Sequence, residues 1–198
     1  MNYKNVQISI NIIIIILEII GFILSVDGYG ITSLTYYTAD SNLLLLMSSI
    51  LILFYLLQDK ELPSWLESFR FISVVSVTVT LFIAVTVLSW TSDLGLFDIL
   101  FQDDLLYHHT LCPLLAIISF SLIEKYDNLK VIQGVYFTIA YAAVMIILNI
   151  LKIVDGPYPF LKVYEQPVLQ SVFWVVIIFA VTYLIAAVLK KVNDKVNV

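Results

Sequence analysis

The chain has 198 residues, 61% of them hydrophobic and 13% charged, with a mean hydropathy of +1.01. A soluble domain sits nearer ~45–50% apolar and ~25% charged, so the sequence reads as an integral membrane protein, one domain over residues 1–198 with loops too short to hold a soluble one. A net charge of -5, carried against Arg70 and nine scattered lysines, excludes a nucleic-acid binder, and the single Cys112 excludes an internal disulfide or a cysteine-based metal cluster.

A helix needs about 20 mostly apolar residues to cross a ~30 Å hydrocarbon core. Six stretches meet or approach this length, at about Ile8–Val26, Asn42–Leu57, Phe71–Trp90, Leu105–Ile123, Val131–Val154 and Val168–Leu189. They predict an all-α protein of six transmembrane helices. The first run carries Glu18 and is followed by Ser25-Val26-Asp27-Gly28, a poor cleavage site, so it is expected to be retained and not removed as a secretory signal. The second is short and is expected to begin before Asn42. The third is rich in valine, isoleucine and threonine, yet its unbroken apolarity lacks the alternation of a barrel strand, and helix is the reading that satisfies its backbone in lipid. Between the third and fourth runs, Leu94–Asp104 interleaves apolar residues with acids. That pattern suits an interfacial helix, acting as a lid or as a passive connection.

Orientation follows from the basic residues. With the N-terminus inside, the inner segments hold Lys4, Lys60, Arg70, Lys125, Lys130, Lys190, Lys191 and Lys195, and the outer ones only Lys152 and Lys162. Both termini are therefore expected to be cytoplasmic in a multi-pass protein of the cell membrane. The outer gaps are acidic, with Asp27, Asp40, Asp93, Asp98, Asp103, Asp104, Asp155 and Glu165. Trp65 and Trp90 are expected at the inner and outer interfaces.

Polar residues inside the spans are costly unless partnered. Glu18 is placed ~12 Å below the outer end of its helix, either as a proton-handling or orienting carboxylate beneath a site or as a protonated acid bonded to a neighbouring helix. Asn149 reads as interhelical glue; Ser73, Ser76 and Thr80, and the stripe Gly134, Thr138 and Ala142, read as packing surfaces.

Three polar motifs fall in alternate gaps and so on one face: Tyr36-Tyr37-Thr38-Ala39-Asp40-Ser41-Asn42, Tyr107-His108-His109-Thr110-Leu111-Cys112-Pro113 and Gly156-Pro157-Tyr158-Pro159-Phe160-Leu161. His108 and His109 are the only histidines. Pro113 frees the carbonyl four residues back, that of His109, so an irregular, polar backbone is expected around the imidazoles. An imidazole titrating near neutrality can act as a general base; the competing reading is a pair of interfacial histidines wetted by headgroups. Adjacent histidines without an H-x-x-x-H spacing argue against a metal site. At the start of the second helix, Thr38, Asp40 or Ser41 can cap the first turn, while a desolvated hydroxyl near a histidine can be an acyl-accepting nucleophile. Tyr158 and Phe160 read either as interface aromatics on a proline-stiffened loop or as part of the site.

Tyr37-Thr38, His109-Thr110-x-x-Pro113 and Tyr158-Pro159-Phe160-Leu161, in this order among six spans, resemble the androgen-induced and androgen-dependent TFPI-regulating protein family and its small prokaryotic relatives. In that family a threonine and a histidine cleave fatty acid esters of hydroxy fatty acids. The resemblance implies a lipid-ester hydrolase with Thr38 as nucleophile and His108, five positions before Pro113, as the histidine; His109 lies one register away. Tyr158 or Asn42 would then donate to the oxyanion, with Phe160 and Glu18 also lining the substrate site. No metal or organic cofactor is required, and the expected partners are membrane lipids and a lipid-ester substrate. The rival reading is a non-enzymatic membrane protein, such as a small transporter or an assembly subunit, with Glu18 and the histidines forming a proton-coupled path.

Overall fold

The computed structural model describes residues 3–92 and 94–196; Asp93, counted above among the outer acids, lies outside the described residues. Regular structure among the described residues is helical throughout. The principal helices are α1 (Tyr3–Tyr29), α2 (Tyr37–Leu57), α3 (Ser64–Ile83), α4 (Leu96–Phe101), α5 (Cys112–Leu122), α6 (Tyr136–Ile150) and α7 (Val168–Val196). Several are prolonged by other helical turns. Six of the resulting helices, Tyr3–Thr35, Tyr37–Leu57, Ser64–Thr91, Asp103–Leu122, Val131–Ile150 and Val168–Lys195, are long and apolar enough to cross a membrane.

The spans agree in number and order with the sequence, and their ends differ. Hydropathy marks the part of a helix that sits in hydrocarbon, whereas the backbone stays helical into the polar layers. Thus α1 starts at Tyr3, α3 at Ser64, and α7 runs on to Val196. The second span begins at Tyr37, as expected from its short apolar core, and the fifth stops at Ile150, four residues early. Trp65 and Trp90 are exposed at opposite ends of the third span. Alternation of six spans sets the start of α1 and the end of α7 at one end of the bundle, where Lys4 pairs with Asp59, and the three polar motifs at the other, here called the loop end.

α3 is the central helix: half of its most apolar stretch is buried, against 17% for α7. It packs on α2, α5 and α7. Its valines Val74, Val75, Val77 and Val79 fill the core, while Ser73 and Ser76 donate to the carbonyls of Phe69 and Ile72. Returning these hydroxyls to the helix's own backbone lets small residues pack closely without stranding a donor. Gly134 seats against Ala186 and Val75, and Thr138 bonds Tyr37, so these two members of the small-residue stripe pack against neighbouring helices, while Ala142 lines a cavity. Asn149 donates to the Val154 carbonyl and accepts from the Val163 N–H, bracing the last interspan loop in place of a helix-helix bond.

Arg70 corrects the sequence reading. It had been counted as a loop cation, yet it lies inside α3 and is fully buried, forked onto Glu124 at 2.7 Å (Nη2 to Oε1) and 3.0 Å (Nε to Oε2). Ser49 accepts from Nη1 at 2.9 Å, and Ser119 and Tyr126 donate to the two Glu124 oxygens. Burial, reinforced by the Glu124 charge, pushes the Tyr126 phenol well above its ordinary range and holds it as a donor. Asn193 of α7 donates to the carbonyls of Phe120 and Glu124, tying the last helix to this cluster. An ion pair this deep survives desolvation only because its forks are so fully satisfied.

Candidate functional site

The site is built where α2 begins. Tyr36 is extended (φ -92°, ψ 134°) and ends the 3-10 turns of Gly30–Thr35, so Tyr37 and Thr38 open the new helix. The first N–H groups of a helix have no partner within it. No side chain caps α2, which corrects the capping expectation for Thr38, Asp40 and Ser41. Instead the Thr38 N–H lies 3.4 Å from the Tyr158 hydroxyl. Ser41 donates to the Thr38 carbonyl at 3.0 Å and meets Thr80 of α3 at 2.8 Å. The Thr38 hydroxyl is left to face the loop end: its Oγ1 is 3.1 Å from His109 Nε2 and 3.5 Å from the Tyr158 Oη.

The irregular backbone expected before Pro113 is present. Leu106–Leu111 winds as a π-helix that runs on without a break into α5, and Pro113, which has no N–H to return to the preceding turn, follows directly. This segment sends the two imidazoles apart. His109 Nδ1 lies 2.8 Å from the Ile99 carbonyl of α4. A carbonyl only accepts, so Nδ1 carries the proton and the Nε2 lone pair faces Thr38. α4 is thus a positioning element: Ile99 is its buried residue, and the Leu100 carbonyl takes a bond from Thr110 at 2.7 Å. Asp103, at φ 44°, turns the chain from α4 into the fourth span, a left-handed conformation that Asp tolerates.

His108, the histidine favoured by counting from Pro113, does not meet Thr38. It is buried against α1, with Nε2 3.5 Å from Glu18 Oε2, longer than a good hydrogen bond, and its ring 4.9 Å from that of Phe22. It packs on Gly21, where a Cβ would come within 2.6 Å of Nε2. Glu18 is fully buried beside His108, and among the described residues neither of its carboxyl oxygens has a hydrogen-bond partner. Asn42 also departs from its expected part as an oxyanion donor. Its amide nitrogen donates to the carbonyls of Thr38 (2.8 Å) and His108 (3.1 Å), so it braces the start of α2 against the π-helical segment.

Tyr158 sits in the loop before α7. Gly156 permits this loop: a Cβ there would fall 2.5 Å from the Leu161 carbonyl carbon. Phe160 stacks on Tyr158 at 5.1 Å with the planes 8° apart, and packs in turn on Trp174. Burial pushes the Tyr158 phenol up to about 12, so it is a neutral donor across the physiological range.

Two cavities meet at Thr38, Leu88 and Tyr158. One, of about 420 Å³, opens at the loop end and includes Ser25, Ser33, Asp104 and both histidines in its wall. The other is a narrow slot of about 50 Å³ running down beside Val79, Ala142, Phe160 and Ile178. Thr38 is therefore reachable from a chamber of mixed polar and apolar lining on one side and from a smaller, more apolar slot on the other. Among the described residues no set of three or more His, Cys, Asp and Glu side chains could hold a metal ion.

The structure brings Thr38, His109, Tyr158 and Phe160 together, and sets His108 and Glu18 one layer behind them. The Ile99 carbonyl and Asp104 complete the surroundings; the first, a backbone acceptor, has no sequence signature. No family model, curated protein or solved structure matches the chain.

Proposed function

We propose that this multi-pass helical protein is a membrane-embedded hydrolase of lipid esters, with Thr38 as nucleophile and His109 as general base. The observation that carries this reading is the relay Thr38 Oγ1 to His109 Nε2 to Ile99 carbonyl, at 3.1 and 2.8 Å, at the junction of two cavities. Kinship with the androgen-induced and androgen-dependent TFPI-regulating proteins belongs to the same proposal and rests on the three motifs. So do a cell-membrane location and cytoplasmic termini, which rest on the distribution of basic residues.

In the proposed reaction the Thr38 oxygen attacks the ester carbonyl carbon as its proton passes to His109 Nε2. The carbonyl oxygen gains the negative charge, with the Tyr158 hydroxyl and the Thr38 N–H, at the positive end of α2, poised to receive it. Collapse breaks the bond to the leaving alcohol's oxygen, which takes the proton from His109. Water then attacks the acyl-threonine, His109 accepts its proton, and collapse returns Thr38 and releases the fatty acid. Ile99 supplies a neutral carbonyl where other triads place a carboxylate, so the imidazolium is less stabilised and turnover is slow.

The test is hydrolysis of a fluorogenic acyl ester by protein in detergent. Thr38→Ala should reduce turnover to background while Thr38→Ser retains it; full activity in Thr38→Ala defeats the proposal. The buried Glu18–His108 pair favours a second reading, a proton-coupled membrane protein. Loss of ion-coupled uptake in vesicles on Glu18→Gln, with none on Thr38→Ala, would select it.

A further inference from the structure

We infer that the alcohol released at this site is a neutral polyol of the glycerol type, so that the substrates are acylglycerols and not esters whose leaving group bears a carboxylate or phosphate; this rests on the hydrolase reading above. The two cavities differ in kind and in depth. The slot descends from Thr38 along α3 to Val79 and Thr80, and along α6 and α7 to Ala142 and Ile178, residues well inside their spans. The chamber opens among Ser92, Leu94 and Pro157, at the loop end. A lipid ester lying in a bilayer has its acyl chain in hydrocarbon and its alcohol at headgroup level. With the carbonyl at Thr38, the slot takes the first carbons of the acyl chain and the chamber takes the alcohol.

The chamber's chemistry then selects among alcohols. Its wall mixes apolar side chains with the hydroxyl oxygens of Ser25, Tyr29, Ser33, Thr91 and Ser92 and the buried carboxyl of Asp104, and it includes no lysine or arginine. The Ser33, Thr91 and Ser92 hydroxyls donate to the carbonyls of Gly30, Val87 and Leu88, which leaves their oxygens as acceptors. The two lysines of the loop end are engaged elsewhere. Lys152 lies 5.2 Å over the Tyr164 ring, and Lys162 pairs with Glu165 at 3.1 Å. A phosphate or carboxylate held in this chamber would enter a partly desolvated space beside the Asp104 carboxyl, with no lysine or arginine to offset it. The hydroxyls of a glycerol donate to these acceptor oxygens without placing any charge there.

The experiment compares three substrates with the full-length protein in phosphatidylcholine nanodiscs: monooleoylglycerol, the oleoyl ester of a hydroxystearic acid, and monooleoyl lysophosphatidic acid. Fluorophosphonate labelling of Thr38 is read in parallel, as an independent report on the nucleophile. The expected result is labelled protein whose kcat/KM for monooleoylglycerol exceeds that for both anionic esters at least tenfold. Asp104→Asn should narrow that ratio severalfold, and Ser92→Lys, an exposed position in the same wall, should do so even if Asp104→Asn fails to fold. Labelled protein that cleaves either anionic ester as fast as monooleoylglycerol overturns the inference and leaves the nucleophile standing. An unchanged ratio in the folded variants removes the charge argument and the inference with it. Protein that neither labels nor cleaves any of the three defeats the hydrolase reading itself.

Discussion

Thr38 and His109 lie 71 residues apart in sequence and 3.1 Å apart in space, each fixed by backbone and not by a charged partner. Thr38 is held by the start of α2, whose brace is Asn42, and His109 by the Ile99 carbonyl. The pairing gives the two histidines different parts. His109→Ala should lower kcat at least ~10³-fold. His108→Asn should cost less than ~10-fold and act mainly on stability, because that ring packs on α1. Steady-state hydrolysis by both variants, with thermal unfolding in detergent, checks the assignment; equal losses of kcat contradict it.

Tyr158→Phe removes the hydroxyl 3.5 Å from Thr38 Oγ1 while keeping the ring stacked on Phe160. Loss of one oxyanion donor should lower kcat ~10²-fold with little change in KM. The pH dependence carries a sign. The phenol's value in the folded protein, about 12, is above its ordinary 10, so the neutral donor and the stability it contributes are fully present below pH 10 and are lost as pH rises toward 12. The rate of the wild type should therefore show no Tyr158-dependent fall between pH 6 and about 9, and wild type and Tyr158→Phe should give profiles of the same shape there. A limb below pH 9 that vanishes in the variant would contradict this.

At the opposite end of the bundle, removing one member of the buried Arg70–Glu124 pair leaves a charge without its partner. Glu124→Gln or Arg70→Met should each destabilise the fold by about 3–5 kcal/mol. The double variant should recover a substantial part, since neither charge is then buried alone. Thermal unfolding in detergent measures the cycle. Single and double variants with equal loss would show that the pair is not an energetic unit.

Gly156→Ala tests the loop that presents Tyr158. A Cβ 2.5 Å from backbone carbon cannot be absorbed by a side-chain rotation, so the segment 156–161 must move. Activity should fall ~10-fold or more while the unfolding temperature shifts by only a few degrees, because the loop sits at the end of the bundle. Unchanged turnover would mean that Tyr158 is not positioned by this turn.

The six spans and the face on which the motifs gather were legible in the sequence, because an apolar run of sufficient length has few alternatives in lipid. The histidine register was not. The motif carried over from the resemblance favoured His108 and left His109 open one register away; which imidazole faces α2 depends on the winding of Leu106–Leu111, which the motif does not specify. The Ile99 carbonyl was invisible because any residue supplies one. Arg70 was misplaced because a cation just before an apolar run looks the same whether it flanks a helix or is buried in one, and its partner Glu124 lies 54 residues away. Asn42 suited an oxyanion donor by type, yet its amide nitrogen donates to two backbone carbonyls that only the packed bundle brings near.

The central claim is that Thr38 is an activated nucleophile, and the most direct measurement is labelling of the purified protein with a lipophilic fluorophosphonate, followed by mass-spectrometric location of the adduct. The account predicts a phosphonylated Thr38 in the wild type, lost in Thr38→Ala and in His109→Ala and retained in His108→Asn. Folded wild type that takes up no probe, or that carries it at another residue with Thr38 unmodified, would contradict it.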